Sequence, residues 1–234
     1  MDDLGHAFLA ALTLLATGDG DLYAIALRSL FVTLTAITIA AAIGLPLGAW
    51  LALRRFPGRR AVIATLNALM GLPPVVVGLT LYLLLSRSGP LGALGLLYTP
   101  WAMILAQLII ALPIIASIAH QTLRELWAEY HDLLIALNTT PVQRLRTLLW
   151  DGRRALLTAI LAGFGRAIGE VGAVMIVGGN IDQVTRVLTT AISLETSRGN
   201  FALALGLGII LLALALGVNL AVHGLARTER RGRW

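Results

Sequence analysis

Five long apolar blocks, separated by short polar or charged segments, dominate the pattern along this chain. The blocks lie at residues 30–53, 61–85, 101–123, 155–178 and 201–226. Each is long enough to cross a bilayer, which takes about 20 apolar residues in a helix. A shorter apolar run at residues 4–15 does not reach that length and predicts an interfacial helix. The pattern therefore predicts an all-α integral membrane protein with five transmembrane helices, preceded by a short interfacial helix.

These elements predict three regions. Residues 1–22 form an N-terminal interfacial segment, residues 23–226 a single transmembrane domain, and residues 227–234 a basic tail. The second block is interrupted by two adjacent prolines, Pro73 and Pro74, which remove two backbone donors and kink a helix. Hydrocarbon tolerates such a break only where protein or a cavity satisfies the freed backbone groups. We therefore expect both prolines at a pathway or gate.

Composition supports a membrane protein and excludes several other classes. Of the 234 residues, 58% are hydrophobic and only 13% are charged, whereas soluble domains carry about 25% charged residues. The absence of cysteine excludes disulfides and thiolate metal sites, and we expect neither a cofactor nor a metal. The chain opens Met1-Asp2-Asp3, which is unlike the basic start of a cleavable signal peptide.

The net charge of +6 comes entirely from arginine, because the sequence contains no lysine. Thirteen of the 18 arginines lie in three segments, residues 54–60, 124–154 and 227–234. With five spans, these three segments share one side of the membrane. Basic residues accumulate on the cytoplasmic side. The sequence thus predicts an inner-membrane protein with its N-terminus outside and its C-terminus in the cytoplasm.

The charged segment 124–154 separates three apolar blocks from two, and it predicts two helices joined by an elbow. Asn138 is suited to end the first helix, since its short polar side chain tolerates the left-handed conformation. Thr140 can cap a second helix that has Pro141 at its first position, where the missing N–H costs nothing. We expect this second helix, from Thr140 to Leu149, to carry an apolar face with little else to bury against.

The fourth block contains two charged residues, Arg166 and Glu170. Four-residue spacing on a continuous helix would place them on one face, where they can pair. An intramembrane charge costs at least about 2.5–3.5 kcal/mol on insertion scales, so pairing is expected. Mutual neutralisation and a role in a gate or dimer interface are both open interpretations.

The central segment resembles the cytoplasmic coupling loop of binding-protein-dependent ABC importer permeases. Asp132-Leu133-Leu134 stands for the family's acid-Ala-Ala triplet, Asn138 replaces its glycine, and Pro141 falls where the family often has proline. The family's later Leu-Pro is absent, with Asp151-Gly152 in its place. The resemblance implies that this loop docks on an ATPase subunit. The residues it assigns to coupling are Asp132, Leu137, Asn138, Thr140, Pro141, Val142 and Leu145.

Three further stretches are similar to the oxyanion permeases of this family, which serve sulfate, molybdate and tungstate. They are residues 72–78 (LPPVVVG), the tract 163–180 with its Gly-Glu-Val-Gly-Ala segment, and residues 185–201, which look most like the tungstate branch. The resemblance implies a homodimer in the lipid bilayer, two cytoplasmic ATPase subunits and an extracytoplasmic oxyanion-binding protein. The chain has no phosphate-binding Gly-x4-Gly-Lys-Ser/Thr pattern, so ATP hydrolysis would belong to the partner. No nucleic acid is expected, because the arginines lie at the ends of apolar spans, which membrane topology explains better than an RNA-binding face does.

The polar segment 180–200 is too polar to span and predicts a short helix against the outer mouth. Asn180, Thr185 and Arg186 are candidates for the translocation pathway, together with Pro73, Pro74, Arg166 and Glu170. Hydroxyls and a guanidinium are suitable donors to an oxyanion. A simple interfacial helix is the alternative.

Other functions are weaker interpretations of the same pattern. An intramembrane enzyme would need a catalytic cluster, yet the sequence has no His-Glu-x-x-His motif and no pair of intramembrane carboxylates. A secondary transporter or channel would show inverted repeats or several buried ionisable groups. Within the oxyanion group, molybdate and sulfate remain alternatives to tungstate.

Overall fold

The computed structural model describes residue 13 and residues 20–231, with side chains through residue 222. These residues form eight α-helices and one 3-10 turn, Gly92–Leu94, without a strand among them. The helices are α1 Gly20–Leu53, α2 Arg59–Leu69, α3 Pro74–Leu85, α4 Pro100–Ala136, α5 Pro141–Ile168, α6 Gly172–Gly178, α7 Leu188–Ser197 and α8 Phe201–Arg231. The all-α prediction is confirmed.

Three described helices are long and apolar enough to cross a membrane: α1, α4 and the part of α8 at Phe201–Val222. Two broken pairs, α2 with α3 and α5 with α6, raise the number to five if each pair is one span. The predicted break at Pro73-Pro74 is present, with Pro74 opening α3. The predicted interfacial helix at residues 4–15 lies outside the described residues, apart from Thr13.

Several predicted helix boundaries are wrong. Helix α1 begins at Gly20 instead of residue 30, because Leu22 is buried in an apolar cluster with Leu188, Ala191 and Leu207. Asp21 lies in its first turn, where a negative charge is favourable. Helix α8 continues to Arg231, past the predicted end at residue 226.

The predicted two helices of the charged segment are present, but each is continuous with a neighbouring span. Helix α4 passes its predicted end at Leu123 and continues to Ala136, since no helix-ending residue occurs before Asn138. Helix α5 runs without a break through Asp151-Gly152, which the sequence analysis placed before a separate fourth span. Two long helices therefore meet at the elbow.

The chain divides into two compact units. The terminal unit comprises residues 1–35, 73–107 and 168–234, and the central unit comprises residues 36–72 and 108–167. The core of the central unit contains the buried residues Ala49, Ala52, Ala119, Leu123, Leu148 and Leu156. Gly48 permits this packing, because a Cβ there would lie 2.7 Å from the Ala116 carbonyl oxygen.

Candidate functional site: the coupling elbow and the Glu170 break

The elbow, residues 137–143, belongs to the central unit and begins where α4 ends. Asn138 adopts a left-handed φ of 49° directly after the helix, as predicted. The Asn138 N–H donates to the Ile135 carbonyl at 2.9 Å, and the Thr139 N–H donates to the Leu134 carbonyl at 3.2 Å. These bonds satisfy carbonyls that a helix end leaves without an intrahelical partner. The carbonyls of Leu134 and Ile135 at the end of α4 are therefore hydrogen-bonded within the elbow.

The start of α5 is capped in both directions. The Thr140 N–H donates to Gln143 Oε1 at 2.7 Å, and the Gln143 N–H donates to Thr140 Oγ1 at 3.3 Å. This reciprocal pair is a capping box. The predicted cap at Thr140 and the predicted first position of Pro141 are confirmed. The partner Gln143 was missed, although the spacing Thr-x-x-Gln signals it.

A side-chain clamp fixes the two helices at the elbow. Thr139 Oγ1 donates to the Leu134 carbonyl at 2.6 Å and accepts from Arg144 Nε at 3.2 Å. The Arg144 guanidinium also lies 6.0 Å from the ring centre of Trp127 on α4, at the outer range of a cation–π contact. Because these contacts join residues on both sides of the turn, the elbow holds one geometry. Sequence periodicity gave no signal for this clamp.

The apolar face of the second helix is divided between core and surface. Leu148 is fully buried, and Leu145 and Leu149 pack against the central unit's core. The prediction that this face has little else to bury against is therefore wrong for these three leucines. Leu137 is 64% exposed and Val142 is 75% exposed. The surface open to a partner is the turn itself.

Asp132, assigned to coupling by the resemblance, lies near the end of α4. Its side chain is fully exposed, and Oδ1 lies 2.9 Å from His131 Nδ1. The His131 ring in turn packs edge-on against Trp127, with ring centres 4.9 Å apart. Asp132 is thus oriented by its neighbour and accessible at the surface.

The second site is the Glu170 break, residues 169–171, between α5 and α6. Arg166 lies in the last turn of α5, which ends at Ile168. The predicted continuous helix through Arg166 and Glu170 is wrong, so their spacing of four does not place them on one helical face. Pairing between them stays a prediction.

Glu170 is 4% exposed, and its bonds include two within the terminal unit. Its Oε1 accepts from the Ala173 N–H at 3.1 Å, and its carbonyl accepts from the Thr189 hydroxyl at 2.9 Å. The carboxylate therefore lies at the start of α6, where negative charge is favourable. Helix α3 approaches here closely, since a Cβ on Gly78 would lie 2.8 Å from Ala173 Cα. Glu170 ties α6 to α7 inside a packed unit.

The candidate pathway residues after α6 cluster in the terminal unit. Asn180 has a φ of 49°. Thr185 is fully buried, and its hydroxyl donates to the Gly178 carbonyl at 2.5 Å. Arg186 pairs with Asp182 at 2.9 Å, while the Asp182 side chain is 68% exposed. The threonine hydroxyl is committed to the backbone, whereas Arg186 and its partner lie closer to the surface.

Arg28 is a further basic residue of this region, which the sequence pattern does not single out. Its guanidinium donates to the Arg186 carbonyl at 2.9 Å and to the Gln183 carbonyl at 2.7 Å. The turn between α6 and α7 is thereby tied to α1 within the terminal unit. The predicted short helix in this segment is present as α7, with Leu188 and Ala191 buried. Pro73 precedes α3 in an extended conformation, with ψ of 121°.

Residues 44–231 match the family described as the inner membrane component of binding-protein-dependent transport systems. The chain belongs to this family, the permease subunits of ABC importers. It is thus a multi-pass membrane transport subunit, and proteins of this class are not themselves enzymes. Family membership implies an ATPase and a binding protein as partners.

Several relatives are ABC transporter permeases for anions, tungstate, sulfate or molybdenum. The chain is 43% identical over 196 residues to a probable anion ABC transporter permease of Haloferax volcanii, covering 82% of this chain and 84% of that protein. It is 37% identical over 225 residues to a tungstate uptake system permease of Peptoclostridium acidaminophilum, covering 96% and 99%. A tungstate uptake system permease of Campylobacter jejuni is 38% identical over 173 residues, covering 74% and 72%. Sulfate and molybdenum permeases are similar at 28–30% identity.

Proposed function

We propose that this chain is the permease subunit of a tungstate importer. The main support is the similarity to a tungstate permease, which extends over 96% of this chain and 99% of that protein. The segment 185–201, which resembles the tungstate branch, lies in the terminal unit beside the candidate pathway residues. Molybdate and sulfate are the alternative candidates, because a molybdenum permease and a sulfate permease are also similar, along 74% and 88% of the chain.

Uptake in a host without its own oxyanion importers tests this proposal. The permease would be expressed with its ATPase and binding protein, and intracellular tungsten, molybdenum and sulfur would be measured by elemental mass spectrometry. We expect tungstate accumulation that excess molybdate reduces weakly and excess sulfate does not reduce. Uptake of molybdate or sulfate in preference to tungstate would contradict the assignment.

The proposed assembly is a homodimer of this permease, with residues 23–226 as one transmembrane domain in each copy. Two cytoplasmic ATPase subunits hydrolyse ATP and dock on the elbows, and an extracytoplasmic binding protein delivers the anion. The exposed side chains of Leu137 and Val142 support docking at the elbow, because an apolar turn in water gains by burial in a groove. Leu145 then contributes by supporting the turn from beneath.

The proposed orientation has the N-terminus outside and the C-terminus in the cytoplasm. It rests on the arginine asymmetry, which places the basic turn, the elbow and the tail on one side. A reporter that is active only in the cytoplasm, fused after Trp234, should give a signal. Silence of that fusion, with activity of an N-terminal fusion, would reverse the orientation.

In the proposed pathway, the anion passes the broken helices and does not contact the carboxylate of Glu170. A dianion would be repelled by an exposed carboxylate, and Glu170 is buried. We assign Glu170, and Arg166 with it, to indirect support of a gate, and Arg186 to the outer approach of the anion. Asn180, Thr185 and the two prolines hold the backbone around that route. If Arg186→Ala leaves uptake and binding-protein-stimulated ATPase activity unchanged, the outer segment is a simple interfacial helix.

A further inference from the structure

Two adjoining cavities in the central unit extend beyond the docking turn, which forms one end of the larger cavity through Val142 and Leu145. One is an apolar cavity of about 830 Å³ between the second half of α1, α4 and the start of α5. Its lining includes Leu45, Trp50, Leu53, Trp127 and Leu149. This volume lies within the range of about 300–1,000 Å³ that is usual for ligand sites.

The second is a basic depression of about 380 Å³. Its ionisable lining residues are Arg55, Arg59, Arg124, His131 and Asp132. Leu53 and Trp127 line both cavities, so the depression adjoins the apolar cavity.

The guanidinium groups in the depression are not equivalent. Arg59 is held in place, because its Nε donates to the Leu51 carbonyl at 2.6 Å and its Nη2 lies 3.2 Å from His120 Nε2. Within the described chain, Arg55 and Arg124 form no ion pair, and the single acid of the depression, Asp132, contacts His131. The depression therefore presents uncompensated positive charge beside an apolar cavity.

We propose that this pair of cavities binds an anionic phospholipid of the surrounding bilayer. The phosphate lies against Arg55 and Arg124, and an acyl chain fills the apolar cavity. Basic pockets between membrane helices suit anionic headgroups, and Trp50 and Trp127 are the side chains favoured at a membrane–water boundary. The proposed orientation, which puts the basic turn in the cytoplasm, places the site in the leaflet that carries most anionic lipid.

Native mass spectrometry of the permease, purified with its ATPase partner from nanodiscs of equimolar phosphatidylglycerol and phosphatidylcholine, tests the proposal. We expect retained phosphatidylglycerol in excess of phosphatidylcholine. Arg55→Gln and Arg124→Gln should each lower that retention by about fivefold. The matched control, Arg87→Gln, removes an exposed arginine far along the sequence from both cavities and should retain lipid as the unaltered protein does.

A second variant tests the apolar half of the site. Ala42 lines the cavity and is exposed, so Ala42→Trp should fill the cavity and displace the acyl chain while the arginines stay. Ala64→Trp, at an exposed position outside the cavity lining, is its control. Loss of lipid in Ala42→Trp alone would support the proposal, and equal retention in both would overturn it.

Three outcomes would assign the site to another occupant and overturn the proposal. Millimolar inorganic phosphate or tungstate that displaces the lipid in an Arg55-dependent way would indicate a soluble anion site. Disulfide cross-linking between two copies through Ala42→Cys would indicate a second copy in the apolar cavity. Because the chain has no native cysteine, such a cross-link can form only through position 42. Loss of the ATPase from Arg124→Gln during purification would indicate an ATPase contact.

Discussion

The elbow and the Glu170 break both interrupt long helices, but the elbow exposes apolar side chains, whereas the break buries a polar one. At the elbow, backbone groups are closed by local bonds such as the Thr140–Gln143 pair, and apolar side chains face outward. At the break, the Glu170 side chain is buried and accepts from the Ala173 N–H of α6, while its main-chain carbonyl accepts from the Thr189 hydroxyl of α7. An exposed, preformed turn is suited to contact a partner, whereas a buried polar tie is suited to hold helices in one arrangement.

Removal of the buried Glu170 side chain should have the largest effect. Glu170→Ala leaves the Ala173 N–H without its acceptor inside a packed unit, which should cost about 1–3 kcal/mol and abolish uptake. Thermal unfolding of the purified protein and anion uptake measure the two effects. Glu129→Ala, which removes an exposed acid, is the control and should unfold as the unaltered protein does. If Glu170→Ala matches that control, the break is not held by this carboxylate.

A charge on the exposed turn should abolish coupling without loss of stability. Val142→Glu should weaken ATPase binding by at least about 30-fold, because interface energy is concentrated in a few central anchors, and its unfolding temperature should stay unchanged. Val142→Thr, of the same shape, should show a smaller loss. Co-purification of the ATPase is the measurement, and full retention in Val142→Glu would remove the turn from the interface.

Leu145→Glu tests the contrast between the exposed turn and the side chains that pack beneath it. Leu145 packs against the central unit's core, so a charge there should lower the unfolding temperature as well as the uptake. The difference in unfolding temperature between Leu145→Glu and Val142→Glu is the readout. Equal stability of the two variants would show that both side chains are free for docking.

Loss of the clamp should have an intermediate effect. Thr139→Val keeps the shape but removes the hydroxyl that joins the Leu134 carbonyl to Arg144, which should cost about 1 kcal/mol. We expect more ATP hydrolysed per anion transported, because a looser elbow transmits ATPase movement less well. A ratio equal to that of the unaltered complex would show that the clamp is only structural.

The smallest effect should come from the cap. Gln143→Ala removes one half of the capping box, and loss of a cap costs about 0.5–2 kcal/mol. The N–H of Thr140 is exposed to water, so we expect the lower end of that range in thermal unfolding and nearly full uptake. A loss as large as that of Glu170→Ala would contradict the local role of the cap.

The elbow could be predicted from sequence because its signals are local. Asn138 supplies the left-handed turn and Thr140-Pro141 opens the next helix, so each residue acts through its own backbone. The Glu170 break was not predicted, since no proline marks it and the glycines on either side of it, Gly169 and Gly172, are also typical of close helix packing. The bond from Thr189 to the Glu170 carbonyl joins residues 19 apart in sequence, and helix periodicity carries no signal for such a bond.

The helix ends were misplaced for a related reason. Hydropathy ends the third span at Leu123, where charged residues begin, yet Arg124 and its neighbours are compatible with a helix, and α4 continues through them to Ala136. Glycine at position 152 also reads as a helix end, but packing of α5 on the central core overrides a single glycine. Charged residues indicate where the chain leaves the apolar bilayer, whereas capping residues indicate where a helix ends.

Thiol accessibility at the two sites tests the central contrast most directly, since the chain has no native cysteine. Single-cysteine variants Val142→Cys and Glu170→Cys, with Glu170→Gln as a functional reference, would be treated with a membrane-impermeant maleimide in inverted membrane vesicles. The account predicts fast labelling at position 142 that bound ATPase blocks, and slow labelling at position 170 with or without tungstate. Fast, tungstate-protected labelling at position 170, or labelling at position 142 that the ATPase leaves unchanged, would contradict it.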